Sequence, residues 1–182
     1  MSLKHAVLVL LEAEPASGYD LLKRFNERMG YFWNASHQQI YKQLKTMHEA
    51  GDIDCQEEVQ AGRPDRKVYS ITPQGHGELL TWLAKPVKPN KINDSLLVKM
   101  YAGHLRDSDV ILEEVRDHRQ IHETMLQTFQ AMEAEYQALV PEEQLPFKLP
   151  YLTLRRGILG EQSWLAWADE VEQALAGVAE QV

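Results

Sequence analysis

The chain has 182 residues, of which 44% are hydrophobic and 25% charged, and its formal charge is −8. That composition excludes a disordered or fibrous polymer, and the length suits one large domain or two small ones. The longest apolar run, Ala6 to Leu11, is far short of the roughly 20 residues of a spanning helix, and too short for a secretory signal.

The single cysteine, Cys55, can form neither an internal disulfide nor a cysteine-rich zinc site, so a cytoplasmic location is expected. An acidic balance of 27 against 19 argues at first against nucleic acid. The distribution reverses this. The Lys85–Pro89 stretch, with two prolines, reads as a helix end and linker, giving an expected boundary between residues 1–85 and 86–182. The first part carries ten basic and eleven acidic residues, the second nine and sixteen. Within the first part Lys42 and Lys45 lie in an acid-free stretch, and Arg63, Arg66 and Lys67 face Asp65 alone. Screening over roughly 8 Å makes such local patches, rather than net charge, decide phosphate contact.

Leu3, Ala6, Val7, Leu10 and Leu11 fall at helical spacing, and the first helix should end near Glu14-Pro15. Ser17 is a plausible cap for a second helix, with Asp20 three residues on, an apolar stripe of Tyr19, Leu22, Phe25 and Met29, and Gly30 as its end. Ser36 followed by Gln39 is a capping box that opens a third helix, with Ile40, Leu44 and Met47 buried and Gly51 as terminator. Opposite that line lie Gln38, Lys42 and Lys45, flanked by Gln39, Tyr41 and Thr46.

Ile53, Cys55 and Val59 then share one side of a strand, and Tyr69 and Ile71 one side of another. The segment from Ala61 to Arg66 between them is turn chemistry with basic tips. Thr72-Pro73 restarts a helix whose apolar face is Leu79, Leu80, Trp82 and Leu83. Three helices, a basic-tipped hairpin and one more helix make a winged helix-turn-helix. A helix fits the major groove, where Gln, Ser, Thr and Lys bond base edges, and arginines on a hairpin reach flanking phosphates. Taken singly, each patch is an ordinary solvated surface; their joint placement points to double-stranded DNA.

Ser17-Gly-Tyr-Asp-Leu21, Trp33-Asn-Ala-Ser36, Gln39-Ile-Tyr41, Leu44, Gly51, Gly62-Arg-Pro64, Lys67-Val-Tyr69 and Thr72-Pro-Gln-Gly75 follow in order through about the first 85 residues. As a set they resemble the PadR family of transcriptional regulators. Arg155-Arg-Gly-Ile-Leu159 and Glu161-Gln-Ser-Trp-Leu165 look like its longer subgroup, which carries a helical C-terminal dimerisation domain. The resemblance implies a homodimer on an inverted-repeat operator, usually a repressor, with a small aromatic molecule as effector. It also implies DNA contact at Ser36, Gln38, Gln39, Tyr41, Lys42, Lys45, Arg63, Arg66 and Lys67. Thr46 stands where many relatives have a basic residue, which implies a weaker phosphate grip. No effector-binding residue carries over.

In the second half, Asp107 or Ser108 should cap a helix running to Val140-Pro141. Ile111, Val115, His118, His122, Met125, Phe129, Met132, Tyr136 and Leu139 form a heptad seam on it. A helix of roughly 50 Å cannot bury such a seam alone, so it needs a partner from residues 151–178 or a second subunit, and both are expected to contribute in a dimer. The last helix offers Leu154, Ile158, Leu165, Ala168, Val171 and Leu175. The fold class is therefore mainly α, with an α+β first part and long antiparallel or coiled helices after it.

His118 and His122 have the spacing of two metal ligands, but no third is evident and both lie on the seam, so neither metal nor cofactor is expected. Trp164 and Trp167 suit either core or an aromatic pocket, and Cys55 reads as a small buried residue. There is no phosphate-cradling glycine loop, nucleophile elbow or zinc-protease signature, so an enzyme is not expected. The alternative to a regulator is a winged-helix interaction module that binds a protein through its acidic helical half.

Overall fold

The computed structural model describes residues 3–58, 66–89, 91, 93–105 and 107–179, with residues 177–179 as backbone alone. The chain divides into two compact units, Met1–Asn90 and Lys91–Val182. No helix among the described residues is long and apolar enough to cross a membrane.

The first unit runs α1 (Leu3–Ala13), β1 (Ala16–Ser17), α2 (Gly18–Arg28), α3 (His37–Glu49), β2 (Ile53–Glu58), β3 (Arg66–Ile71) and α4 (Pro73–Leu83). Its sheet has the order β1-β3-β2, antiparallel throughout, with Cys55 opposite Tyr69 and Glu58 opposite Arg66. Apolar residues occupy almost every side of α1, and α1 meets α2, α3, α4 and β3. Val7, Leu8, Leu10 and Leu11 join Leu21, Phe25, Ile40, Leu44, Met47, Ile53 and Leu79 in one core. Each fully buried side chain of this size contributes about 1.5–3 kcal/mol against exposure. His5 enters the same core by stacking on Trp82, with ring centroids 4.5 Å apart.

The apolar stripe of α2 keeps Phe25 in the core and Leu22 and Met29 partly buried against it, but its first turn enters the core through Leu21 and not Tyr19. Leu21 and Phe25 are fully buried and Gly18 is buried, whereas Tyr19 is 71% exposed. The cause is β1, too short to register as a periodic pattern. Pairing of Ala16 with Tyr69 and Ser17 with Val68 seats the helix start against the sheet, so the stripe begins at Gly18 and continues at three- and four-residue steps. On α4, Leu79 is buried and Trp82 half-buried as expected, but Leu80 and Leu83 lie exposed. The four side chains spread over about 160° of the helix circumference, and the core covers only the side of Leu79 and Trp82.

Both ends of α3 are fixed by hydrogen bonds readable in the sequence. Ser36 Oγ accepts from Gln39 N at 3.3 Å, and Ser36 N donates to Gln39 Oε1 at 2.8 Å. At the far end Gly51 adopts φ +78°, a left-handed conformation that costs other residues about 1–2 kcal/mol. Gly51 N then reaches the His48 carbonyl at 3.0 Å and Asp52 N the Met47 carbonyl at 2.9 Å, the paired bonds of a Schellman turn. Ser36→Ala is expected to cost about 1 kcal/mol in urea unfolding; an unchanged midpoint would show that the cap carries no load.

The second unit holds α5 (Ser95–Tyr101), α6 (Ser108–Ala138), α7 (Pro141–Gln144) and α8 (Lys148–Ala179). α6 and α8 form an antiparallel hairpin, since Arg119 meets Asp169 and Glu172 while Glu133 meets Tyr151 and Arg155. Gln144 Nε2 closes the bend on the Leu139 carbonyl at 2.9 Å. The 31 residues of α6 span about 46 Å at 1.5 Å per residue, and the same-chain helix α8 covers the seam. Ile111, Val115 and Phe129 are buried, opposite Leu154, Ile158, Ala168 and Val171, while Met125 near the middle stays exposed.

Two further seam positions, His122 and Tyr136, carry polar contacts. His122 Nδ1 lies 2.5 Å from Glu161 Oε2, and its ring stacks on Trp164 at 3.8 Å. Trp164 and Trp167 meet edge-on at 5.6 Å and pack beside Leu96, Ile111 and Val115. Helix α5, unread in the sequence, buries only Leu96 and leaves Val98 and Tyr101 exposed.

Candidate DNA-binding surface

Helix α3 buries Ile40, Leu44 and Met47 against the core, which turns the rest of its surface to solvent. Ser36, Gln38, Gln39, Tyr41, Lys42 and Lys45 are all exposed. Gln38, Lys42 and Lys45 stand at four- and three-residue steps on one face, with no acid before Glu49. The pattern supplies amide donors and acceptors together with two cations, the chemistry that bonds base edges and phosphates in a major groove.

Three neighbours of that face have local duties. Gln39 Oε1 accepts from Ser36 N in the capping box, so the NH2 group and one lone pair of that oxygen remain for a ligand. Thr46 Oγ1 donates back to the Lys42 carbonyl at 3.0 Å. Tyr41, 38% exposed, lies with its ring over Gly18, where an added Cβ would stand 2.8 Å from the ring carbons. Its ring also meets His37 at 4.3 Å between centroids. Tyr41 thus ties α3 to the start of α2 as well as presenting a hydroxyl.

The wing is the β2–β3 hairpin. Its tip, with Arg63 and the Gly62-Arg-Pro64 motif, lies outside the described residues, as does Val59. Lys67 stands opposite Glu57 in the ladder, 3.3 Å from its carboxylate. Lys45 lies 3.9 Å from Glu49. Both are pairs of exposed long side chains, worth about 0–1 kcal/mol, so a phosphate can replace either acid at little cost.

Arg66 is held differently. Its Nη2 donates to Asp20 Oδ2 at 2.5 Å, and Ser17 Oγ donates to the same oxygen at 2.7 Å. The Ser17 hydroxyl, opposed by partial burial and aided by the Arg66 charge, holds the Asp20 carboxyl below the usual carboxylate range. Sequence reading saw Asp20 as a capping residue alone. Its wing contact crosses 46 positions and left no local signal.

Cys55 is half-buried and its thiol is free. Among the described residues no group of three or more His, Cys, Asp and Glu could hold a metal ion.

A reading helix capped at both ends, beside a three-stranded sheet whose hairpin carries Arg66 and Lys67, defines a winged-helix DNA-binding protein. Comparison with known proteins agrees. Residues 7–81 match the Transcriptional regulator PadR-like family and residues 92–176 match Virulence activator alpha C-term. The Mycobacterium tuberculosis protein named "Probable transcriptional regulator Rv1176c" is 36% identical over 96% of this chain and 98% of its own. The Negative transcriptional regulator PadR of Bacillus subtilis is 30% identical over 93% of this chain and 94% of its own.

Among solved structures, the Vibrio cholerae virulence activator AphA superposes with a TM-score of 0.78 at 33% identity, covering 100% of both chains. Bacillus subtilis PadR in complex with operator DNA gives 0.82 at 26%, covering 95% of this chain and 98% of that one. The same protein in complex with p-coumaric acid gives 0.77 at 27%, covering 96% and 98%. The chain belongs to the PadR-like family of transcriptional regulators. It is a DNA-binding regulator of transcription, not an enzyme.

Proposed function

We propose that the chain is a cytoplasmic repressor that binds an inverted-repeat operator as a homodimer and is released by a small aromatic acid. The observation that carries the DNA contact is the exposed Gln38–Lys42–Lys45 face of α3, held by its capping box and free of acid before Glu49. Ser36, Gln39 and Tyr41 border that face, and Arg63, Arg66 and Lys67 of the wing grip the flanking backbone. The part of the chain up to residue 85 reads DNA. The part from residue 86 onward pairs the subunits and receives the effector.

Pairing is supported by the apolar side chains that the α6–α8 hairpin and α5 leave outward, among them Val98, Tyr101, Ile121, Leu152 and Leu159. A second copy packed on these side chains would take them out of water. The repressor assignment rests on PadR being named a negative regulator, and the aromatic effector on PadR in complex with p-coumaric acid. Release follows if the effector favours a dimer whose two α3 helices no longer match half-sites about 34 Å apart.

The test combines light scattering of the purified chain with anisotropy of a labelled duplex carrying its own upstream region, with and without p-coumaric acid. A dimer whose duplex affinity falls on adding the acid supports the whole reading. A dimer indifferent to the acid overturns the effector assignment, and a monomer overturns the pairing. Binding that does not weaken with added salt would favour the protein-interaction alternative, since phosphate contacts release counterions.

A further inference from the structure

The first described residue after the wing tip is anchored from outside the wing. Arg66 opens β3, and Asp20 lies in the first turn of α2. Apart from the guanidinium, Asp20 is tied to Ser17 twice, once through its carboxylate and once through its backbone. Its Oδ2 accepts the Ser17 hydroxyl at 2.7 Å, and Asp20 N donates to Ser17 Oγ at 3.2 Å. Ser17 in turn pairs with Val68 in the sheet. A helix start and a strand therefore share one rigid corner, and Arg66 docks on it at 2.5 Å.

A guanidinium carries five N–H donors in a rigid planar fork. Asp20 engages only Nη2, and the Arg66 side chain keeps 42% of its surface exposed. Clamping one edge of the fork aims the others. An arginine on a hairpin otherwise surrenders rotamer freedom when it binds; one already clamped has surrendered it on folding. Lys45 and Lys67, by contrast, meet their acids at 3.9 and 3.3 Å between exposed flexible chains.

We propose that Asp20 is a positioning residue for DNA binding, holding the Arg66 guanidinium where β3 leaves the wing tip so that the N–H groups it leaves unoccupied meet a backbone phosphate. This rests on Arg66 being a wing contact, as read under the proposed function. The opposite arrangement would have Asp20 neutralise Arg66 and compete with DNA for it. The two differ in the sign of one measurement.

The experiment is anisotropy of a fluorescein-labelled mixed-sequence duplex against salt, for the full chain and for Asp20→Asn, Asp20→Glu, Arg66→Ala and the double variant Asp20→Asn/Arg66→Ala. Asparagine keeps an oxygen for the Ser17 hydroxyl. Arg66→Ala is expected to weaken binding about tenfold and lower the salt slope by about one per protomer. Asp20→Asn should weaken it about threefold with the slope retained, and should add nothing in the Arg66→Ala background. Asp20→Glu, which keeps the charge, should recover most of the binding. Asp20→Asn binding as tightly as the parent, or more tightly, overturns the proposal and makes Asp20 a competitor. An equal loss in both backgrounds overturns it in favour of a general effect on the fold. Those two results leave the wing reading intact, whereas Arg66→Ala binding like the parent ends both.

Discussion

Alanine at Gly75 is expected to destabilise the first unit by about 3 kcal/mol, the upper end of what overpacking costs. Gly75 lies in the first turn of α4, where its backbone passes directly over Asp52. A Cβ there would stand 2.0 Å from the Asp52 carbonyl oxygen and 2.9 Å from its carbon. Neither atom can swing aside as a side-chain tip does. That same carbonyl accepts Thr72 N at 3.1 Å and Thr72 Oγ1 at 3.0 Å, while Thr72 Oγ1 receives Gly75 N at 3.1 Å. Moving Asp52 would loosen the cap of α4 and the Schellman turn of α3 together. It would also disturb the Asp52–Lys4 ion pair at 2.8 Å, whose carboxylate is nearly buried.

Gly77→Ala is the matched control. It lies one half-turn further along α4, where an added Cβ meets nothing within 4 Å. Replacing glycine inside a helix should stabilise by up to about 1 kcal/mol. Urea unfolding followed by circular dichroism separates the two variants, with midpoints expected on opposite sides of the parent. A Gly75→Ala midpoint equal to that of Gly77→Ala would show that the close approach to Asp52 carries no weight.

The second large effect falls on DNA. Replacing Lys42 and Lys45 together by alanine should reduce the salt slope of binding by about two per protomer and abolish detectable operator binding at moderate salt. Lys42 has no ion pair among the described residues, and Lys45 has only the long contact to Glu49, so neither lysine has much to lose within the fold. Melting temperature and dimer mass should stay at parent values. Retained affinity with retained slope would remove α3 from the interface, whatever the wing does.

How much of this was legible depended on sequence distance. The capping box of α3, the Thr72-Pro73 start of α4 and the glycine that ends α3 were readable, because each uses residues within four positions of one another. The α6 seam was readable because its period repeats. Missed features join distant segments or are too short for a period. The two-residue β1 set where the α2 stripe begins and put Leu21, not Tyr19, in the core. Helix α5 is only seven residues long and apolar at five of them, so no one face stands out by period.

The candidate site divides in the same way. The exposed face of α3 followed from the buried line opposite it. The capping duty of Gln39 followed from its three-residue spacing after Ser36, whereas the packing duty of Tyr41 did not, since it depends on the missing Cβ of Gly18, 23 positions earlier along the chain. Asp20 and Arg66 were each visible alone. Nothing in one sequence links them, because the sheet brings them together only after β1 has paired with β3.

The account stands on α3 reading DNA in two symmetry-related copies. The most direct measurement is selection of bound duplexes from random-sequence DNA at moderate salt, run in parallel with the parent chain and the Lys42/Lys45 alanine variant. The parent is expected to enrich an inverted repeat with half-sites about one helical turn apart, and the variant to enrich nothing. Enrichment of the same repeat by both proteins, or of no repeat by a dimeric parent, would contradict the account.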